Sequence, residues 1–143
     1  MKPQIIDIIK RYISRRKPEI RNQYSAEIRR RRAQEAVRLW INDRRWAEDA
    51  SFSEVAASLG IDKQYLSKIF RGRFGKSFLQ WRKEIRINEA KRLLAKDKDM
   101  PAALIGEAVG INDKSNFKRQ FRDVTGCTPA QWRLKQQRKV GGK

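Results

Sequence analysis

DKQYLSKIFRGRFGKSFLQW, residues Asp62–Trp81, comes back as DKSNFKRQFRDVTGCTPAQW, residues Asp113–Trp132, at a constant offset of 51. Seven of the 20 positions are identical: Asp62/Asp113, Lys63/Lys114, Phe70/Phe121, Arg71/Arg122, Gly75/Gly126, Gln80/Gln131 and Trp81/Trp132. Ser77/Thr128 and Lys68/Arg119 keep their chemistry. Upstream, Val55, Leu59, Gly60 and Ile61 are echoed at an offset of 50 by Ile105, Val109, Gly110 and Ile111. The second copy therefore carries one extra residue, Asn112, in the turn between its blocks. One structural unit is used twice, and a basic, polar unit used twice suits a periodic ligand.

Within each copy the pattern is helical. Leu66, Ile69, Phe70 and Phe74 recur at spacings of three and four, which makes Lys63–Phe74 an amphipathic helix with Asp62 as its cap. Ahead of it lies a short helix, Glu54–Leu59, capped by Ser51 or Ser53, with the Glu54 carboxylate in its first turn. Gly60 ends that helix in a tight turn. Helix, glycine turn, helix is a helix-turn-helix, spanning about 53–75. Ser77 opens a long helix to about Ala95, with Phe78, Trp81, Ile85, Leu93 and Leu94 as its expected buried face. Pro101 starts the next helix, Gly110 turns the chain, and Lys114–Val124 follows with Phe117 and Phe121 inward. This second helix-turn-helix covers about 101–126. Gly126, Thr128 and Pro129 then open a last short helix through Trp132. No segment alternates as a strand does, so the expected fold is all-α with about seven helices: two helix-turn-helix subdomains on a long linker helix.

The flanks are less defined. Val37, Trp40 and Ile41 mark a helix face between Gln34 and Ala47. Ile5–Ile13 suits a short amphipathic helix, which Lys17-Pro18 interrupts. Residues 1–33 read as a basic linker or an N-terminal helix that includes the Arg29–Arg32 block, and residues 134–143 as a disordered basic tail.

Charge narrows the partner. The chain has 35 Lys+Arg against 16 Asp+Glu, a formal net charge of +19. By segment, residues 1–33 carry +8 (11 basic, 3 acidic), 34–133 carry +7 (20 and 13) and 134–143 carry +4 (4 and 0). A polyanion fits, because each phosphate neutralised releases counterions. An anionic membrane surface is the rival that charge alone leaves open. There is no histidine, a single Cys127 and no G-x-x-x-x-G-K-S/T loop. General-base, thiolate-metal and P-loop chemistry therefore lack their groups, and no enzyme, metal or cofactor is expected. One cysteine and no apolar run of transmembrane length suit the cytoplasm. Trp40, Trp81 and Trp132 sit on apolar stripes and read as core; Trp46, among Arg44, Arg45 and Glu48, stays open. Cys127 reads as structural.

From about Gln34 to Arg133 the chain resembles the DNA-binding domain of the AraC/XylS family of bacterial transcription regulators. In the first half the resemblance rests on Val55-Ala56, Leu59-Gly60-Ile61, Tyr65-Leu66-Ser67, Phe70, Phe74-Gly75-Lys76-Ser77-Phe78, Arg86 and Ala90-Lys91-Arg92-Leu93-Leu94. In the second it rests on Ile105, Val109-Gly110, Ser115-Asn116-Phe117-Lys118-Arg119, Phe121, Gly126-Cys127-Thr128-Pro129 and Trp132-Arg133. Gly106 departs from an alanine preference, which should soften its helix by roughly 1 kcal/mol. Ile111 stands for a usual phenylalanine and Asn116 for a common tyrosine. The resemblance implies two recognition helices in successive major grooves, about 34 Å apart. It also implies a transcription regulator, commonly an activator, with RNA polymerase and a homodimer copy as further partners. A separate sensing domain is usual. Control by abundance or a fragment of a longer regulator would each account for its lack here, and the fragment is the favoured reading.

In a helix-turn-helix the N-terminal half of the second helix meets base edges, and later residues meet phosphate. The expected base readers are Gln64, Ser67 and Lys68 in the first copy and Lys114, Ser115, Lys118 and Arg119 in the second. Gln64 suits adenine, Lys68 and Arg119 suit guanine, and serine suits either. Lys63, Arg71, Arg73, Lys76 and Arg122 are expected at phosphate. Two rival readings remain: a basic adaptor that uses the Ile5–Ile13 helix on a membrane or partner protein, and a general RNA binder, which would lack exposed stacking aromatics.

Overall fold

The computed structural model describes residues 4–141, and all their regular structure is helical. Helices α1 (Ile5–Ser14) and α2 (Pro18–Asn42) are followed by a 3-10 turn at Arg45–Ala47. Then come α3 (Phe52–Leu59), α4 (Lys63–Phe74), α5 (Phe78–Lys96), α6 (Ala102–Ala108), α7 (Lys114–Thr125) and α8 (Pro129–Gly141). Two compact units divide between Leu39 and Trp40.

In the first unit, Pro18 opens α2 at the position where its missing N–H costs nothing. The arginine block does not break the chain. Glu27 accepts from Arg30 at 2.7 Å and Arg31 at 3.1 Å across one helical turn, so Arg29–Arg32 lie inside α2. Of the two readings left open for residues 1–33, helix holds for 5–14 and 18–33, and position 33 lies within a helix.

The second unit is built around α5. Its first core is aromatic: Phe70 lies 5.1 Å from both Phe78 and Trp81, ring centre to ring centre, and Trp40 sits 5.7 Å from Phe78. Leu66, Val55 and Ala56 complete it from α4 and α3. The second core is mostly aliphatic, joining Ile87, Ala90 and Leu94 of α5 to Ile105, Val109, Ile111, Phe117 and Phe121, with Trp132 packed against it. Helices α6, α7 and α8 close on the C-terminal half of α5.

These two cores explain where the expected α5 face was incomplete. Phe78, Trp81 and Leu94 are buried as expected, Ile85 and Leu93 only partly, and Ile87, Ala90 and Arg86 are buried as well. At ~100° per residue, Phe78, Trp81 and Ile85 share one side of the helix, and Ile87, Ala90 and Leu94 lie ~180° away. A helix serving two cores has two faces, and a search for one stripe mixes them.

Other ends follow local chemistry. Ser51 and Glu54 form a full reciprocal box: the Glu54 N–H donates to Ser51 Oγ at 3.1 Å and the Ser51 N–H to Glu54 Oε2 at 3.3 Å. Only a cap oxygen and an early carboxylate were expected there. The C-terminal tail departs further from expectation: residues 134–141 are helical, not disordered. No breaker follows Pro129 before Gly141, and Arg133 anchors the helix, donating to the carbonyls of Leu94 (3.3 Å), Asp97 (3.1 Å) and Met100 (2.6 Å). Residues 142–143 lie outside the described part.

Gly106 is not a soft spot. A Cβ there would stand 2.9 Å from the Ile111 carbonyl oxygen and 3.0 Å from Phe117 Cγ. Glycine lets α6 and α7 touch.

Candidate nucleic-acid interface

The two second helices, α4 and α7, are built alike. Asp62 accepts from the N–H groups of Gln64 (3.1 Å) and Tyr65 (3.3 Å), and Asp113 accepts from Asn116 N–H at 2.6 Å. Each aspartate satisfies donors that a helix start leaves open. Both helices close on a left-handed glycine, Gly75 at φ 71° and Gly126 at φ 82°. Between the caps, Leu66, Ile69 and Phe70 face one core, and Phe117 and Phe121 the other.

What remains outward is cationic. Lys63, Gln64, Lys68, Arg71 and Arg73 on α4 are exposed, as are Lys114, Ser115, Lys118, Arg119 and Arg122 on α7. Helix α4 carries four cations and no acid; α7 carries four and one acid, Asp123. Asp123 is engaged elsewhere, accepting from Lys83 Nζ at 3.1 Å. Among the described residues, no ion pair ties any of those eight cations. The contrast with α5 and its neighbours is sharp: Glu84 holds Lys76 at 2.5 Å, and Glu89 holds both Arg44 (2.8 Å) and Arg92 (2.6 Å). Hydrogen bonds from Lys76 and then Gln80 keep the Glu84 carboxyl below the ordinary carboxylate range. Arg92, followed by Arg44, holds Glu89 down to about 2 against the cost of its burial.

Two expected site residues differ from the rest. Ser67 is half-buried, and Lys76 is occupied by Glu84. Arg73 lies over the Phe74 ring, 5.2 Å from its centre.

Two residues gain roles that the sequence did not suggest. Asn116 accepts through Oδ1 from Arg119 Nη2 at 2.7 Å and Gln120 Nε2 at 3.1 Å, so it orients the Arg119 guanidinium. An asparagine one turn before an arginine is the signal, and it is weak. Arg86 is buried in the middle of α5. An arginine between Ile85 and Ile87 is the trace it leaves in the sequence.

A family model described as a helix-turn-helix domain matches residues 55–135. The chain belongs to the AraC/XylS family of helix-turn-helix proteins. Over 101 residues it is 35% identical to the arabinose operon regulatory protein of Escherichia coli (strain K12), covering 71% of this chain and 34% of that protein. The chain thus spans about a third of the length of that curated relative. Among solved structures, the C-terminal domain of AraT, a response regulator from Geobacillus stearothermophilus, superposes with a TM-score of 0.62 at 27% identity, over 74% of this chain and 83% of that one. The DNA-binding domain of the global transcriptional factor AdpA, solved with a target DNA, superposes with a TM-score of 0.63 at 24% identity, over 71% and 89%, and shows the shared fold. AraC-type architecture thus assigns α3–α4 and α6–α7 as the two helix-turn-helix motifs and α5 as their linker. Among the described residues no helix is long and apolar enough to cross a membrane, and no cluster of His, Cys, Asp or Glu is suited to a metal ion. Trp40, Trp46 and Cys127 are buried, and Trp132 packs on the second core.

Proposed function

We propose that this protein is a sequence-specific double-stranded DNA-binding regulator of transcription, acting as an activator in the bacterial cytoplasm, with α4 and α7 in successive major grooves. Gln64, Ser67 and Lys68 read bases in one groove; Lys114, Ser115, Lys118 and Arg119 read them in the next. Lys63, Arg71, Arg73 and Arg122 hold phosphate, and Lys76 joins them by exchanging Glu84 for a phosphate oxygen. RNA polymerase, a sensing domain and a second copy are the protein partners this reading allows. It assigns no catalytic step.

One observation carries the proposal: two aspartate-capped helices bring eight cations to the surface without acidic partners. The 19-residue helix α5 supports the two-groove reading, since at ~1.5 Å per residue it spans ~28 Å, near the ~34 Å groove repeat. The test is a gel-shift salt series on duplexes of varied sequence. Preference for a selected site should exceed random duplex by at least ~10³. Equal affinity for every duplex, or for anionic vesicles, would sink the reading. Arg119→Ala should cost roughly 1–3 kcal/mol and relax one base pair, whereas Arg71→Ala should weaken all duplexes alike and flatten the salt slope.

A further inference from the structure

Arg86 is 8% exposed, and the sequence dictates no reason to bury a guanidinium in the middle of a linker helix. Its contacts supply one. Nε donates to the Trp46 carbonyl at 2.7 Å and Nη2 to the Glu48 carbonyl at 2.8 Å. One turn earlier, Arg82 donates to the carbonyl of Ala50. Together they bind the loop that leads into α3 onto α5. The same loop meets the other motif. At Gly110 (φ +93°), the turn between α6 and α7, a Cβ would fall on the Ala47 carbonyl and stand 3.0 Å from Arg86 Nη2. The loop ahead of the first motif, the centre of α5 and the turn of the second motif converge on one guanidinium.

Each motif is otherwise fixed to α5 by its own core, on opposite faces of that helix. Filling the space at position 86 calls only for an apolar side chain. Burying a cation there is expensive, and what it brings is a planar fork that sets direction and distance at two carbonyls at once. Burial and the neighbouring Arg82 lower the Arg86 pKa to about 10, so the group is still charged at neutral pH.

We propose that Arg86, closed against Gly110, is a positioning residue for two-groove recognition: it locks the entry loop of the first reading motif onto the turn of the second and so sets the half-site spacing the protein accepts. This rests on the two-groove reading above. The test uses the full chain and the duplex that the unaltered protein selects, with the segment between half-sites lengthened or shortened by one base pair, a displacement of about 3.4 Å and about 35°. The unaltered protein should lose roughly 10-fold or more, as for a mismatched pair. Arg86→Lys, Arg86→Met and Gly110→Ala should bind the natural spacing more weakly, lose less than about 3-fold when the spacing changes, and hold a single half-site as before. The lysine and Gly110 variants keep the experiment decisive if the methionine variant fails to fold. A spacing-blind unaltered protein would overturn the two-groove reading itself. Variants that keep the full spacing penalty, or weaken half-site and full site equally, would overturn the role of Arg86 alone.

Discussion

Replacing Gly106 with alanine tests whether packing or propensity governs α6. Helix propensity alone says the change stabilises by about 1 kcal/mol, because glycine in a helix interior loses more backbone freedom than alanine. The structure sets a larger cost against it. The new methyl would meet the Ile111 carbonyl oxygen at 2.9 Å and the Phe117 ring at 3.0 Å. Neither can retreat freely: the Ile111 N–H donates to Gly106 O at 2.8 Å, and Phe117 is 3% exposed within the second core. Overpacking of this kind costs about 1–3 kcal/mol. After the propensity gain, Gly106→Ala should lose about 1 kcal/mol, a drop of roughly 3–5 °C in Tm for a chain of this size. Gly72 is the internal control. It lies exposed in α4, and a methyl added there would meet nothing within 4 Å, so Gly72→Ala should raise stability by about 0.5–1 kcal/mol. Urea melts of both variants beside the unaltered protein decide the matter. If Gly106→Ala stabilises as much as Gly72→Ala, the α6–α7 contact is not as tight as these distances require.

Glu89→Gln removes the carboxylate shared by Arg44 and Arg92. Because the folded pKa is depressed from 4.5 to about 2, its stabilisation is present above pH 4.5 and lost as the pH falls toward 2. The shift corresponds to ~3 kcal/mol, but both arginines are about half exposed, so about 1–2 kcal/mol should be lost at pH 7, and denaturant melts of the variant should show a flatter acid limb. Asn116→Ala frees the Arg119 guanidinium. Competition gel shifts should show weaker discrimination at the base pair proposed for Arg119, by about 0.5–1.5 kcal/mol, with affinity for random duplex unchanged; a uniform loss on all duplexes would count against the orienting role.

The repeat made the two motifs legible, because caps, glycines and apolar spacings recur together and local signals agree with the tertiary arrangement. Linker helix α5 was only half legible: Ile87 and Ala90 face a core opposite to that of Trp81, and periodicity finds one face per helix. The continuation of α2 through Arg29–Arg32 depends on Glu27 reaching its i+3 and i+4 neighbours, which a count of like charges conceals. The sequence singled out Gly106 and Arg86 but not their roles, for a different reason. Their roles depend on backbone atoms of Ile111, Trp46 and Glu48, and no side-chain pattern encodes where a distant carbonyl will lie.

The charge itself argues for where the ligand sits. Residues 34–133 carry 20 basic and 13 acidic groups, a net of +7. Helices α4 and α7 together hold eight of those cations and one of those acids, again +7. The remaining 12 basic and 12 acidic residues of that segment cancel, and the structure pairs several of them, as at Lys76–Glu84 and Arg92–Glu89. A basic composition spread for solubility would leave its excess scattered over every face. Here α4 and α7 together match the whole excess, while the six basic and two acidic residues of α5 are offset by acids elsewhere in the segment. If all eight cations met phosphate, the salt slope would reach about −7; assigning Lys68, Lys114, Lys118 and Arg119 to bases brings the contribution of these helices nearer to −4. A slope well beyond −7 would mean that cations outside these two helices, Lys76 or the basic arms among them, grip the duplex as well.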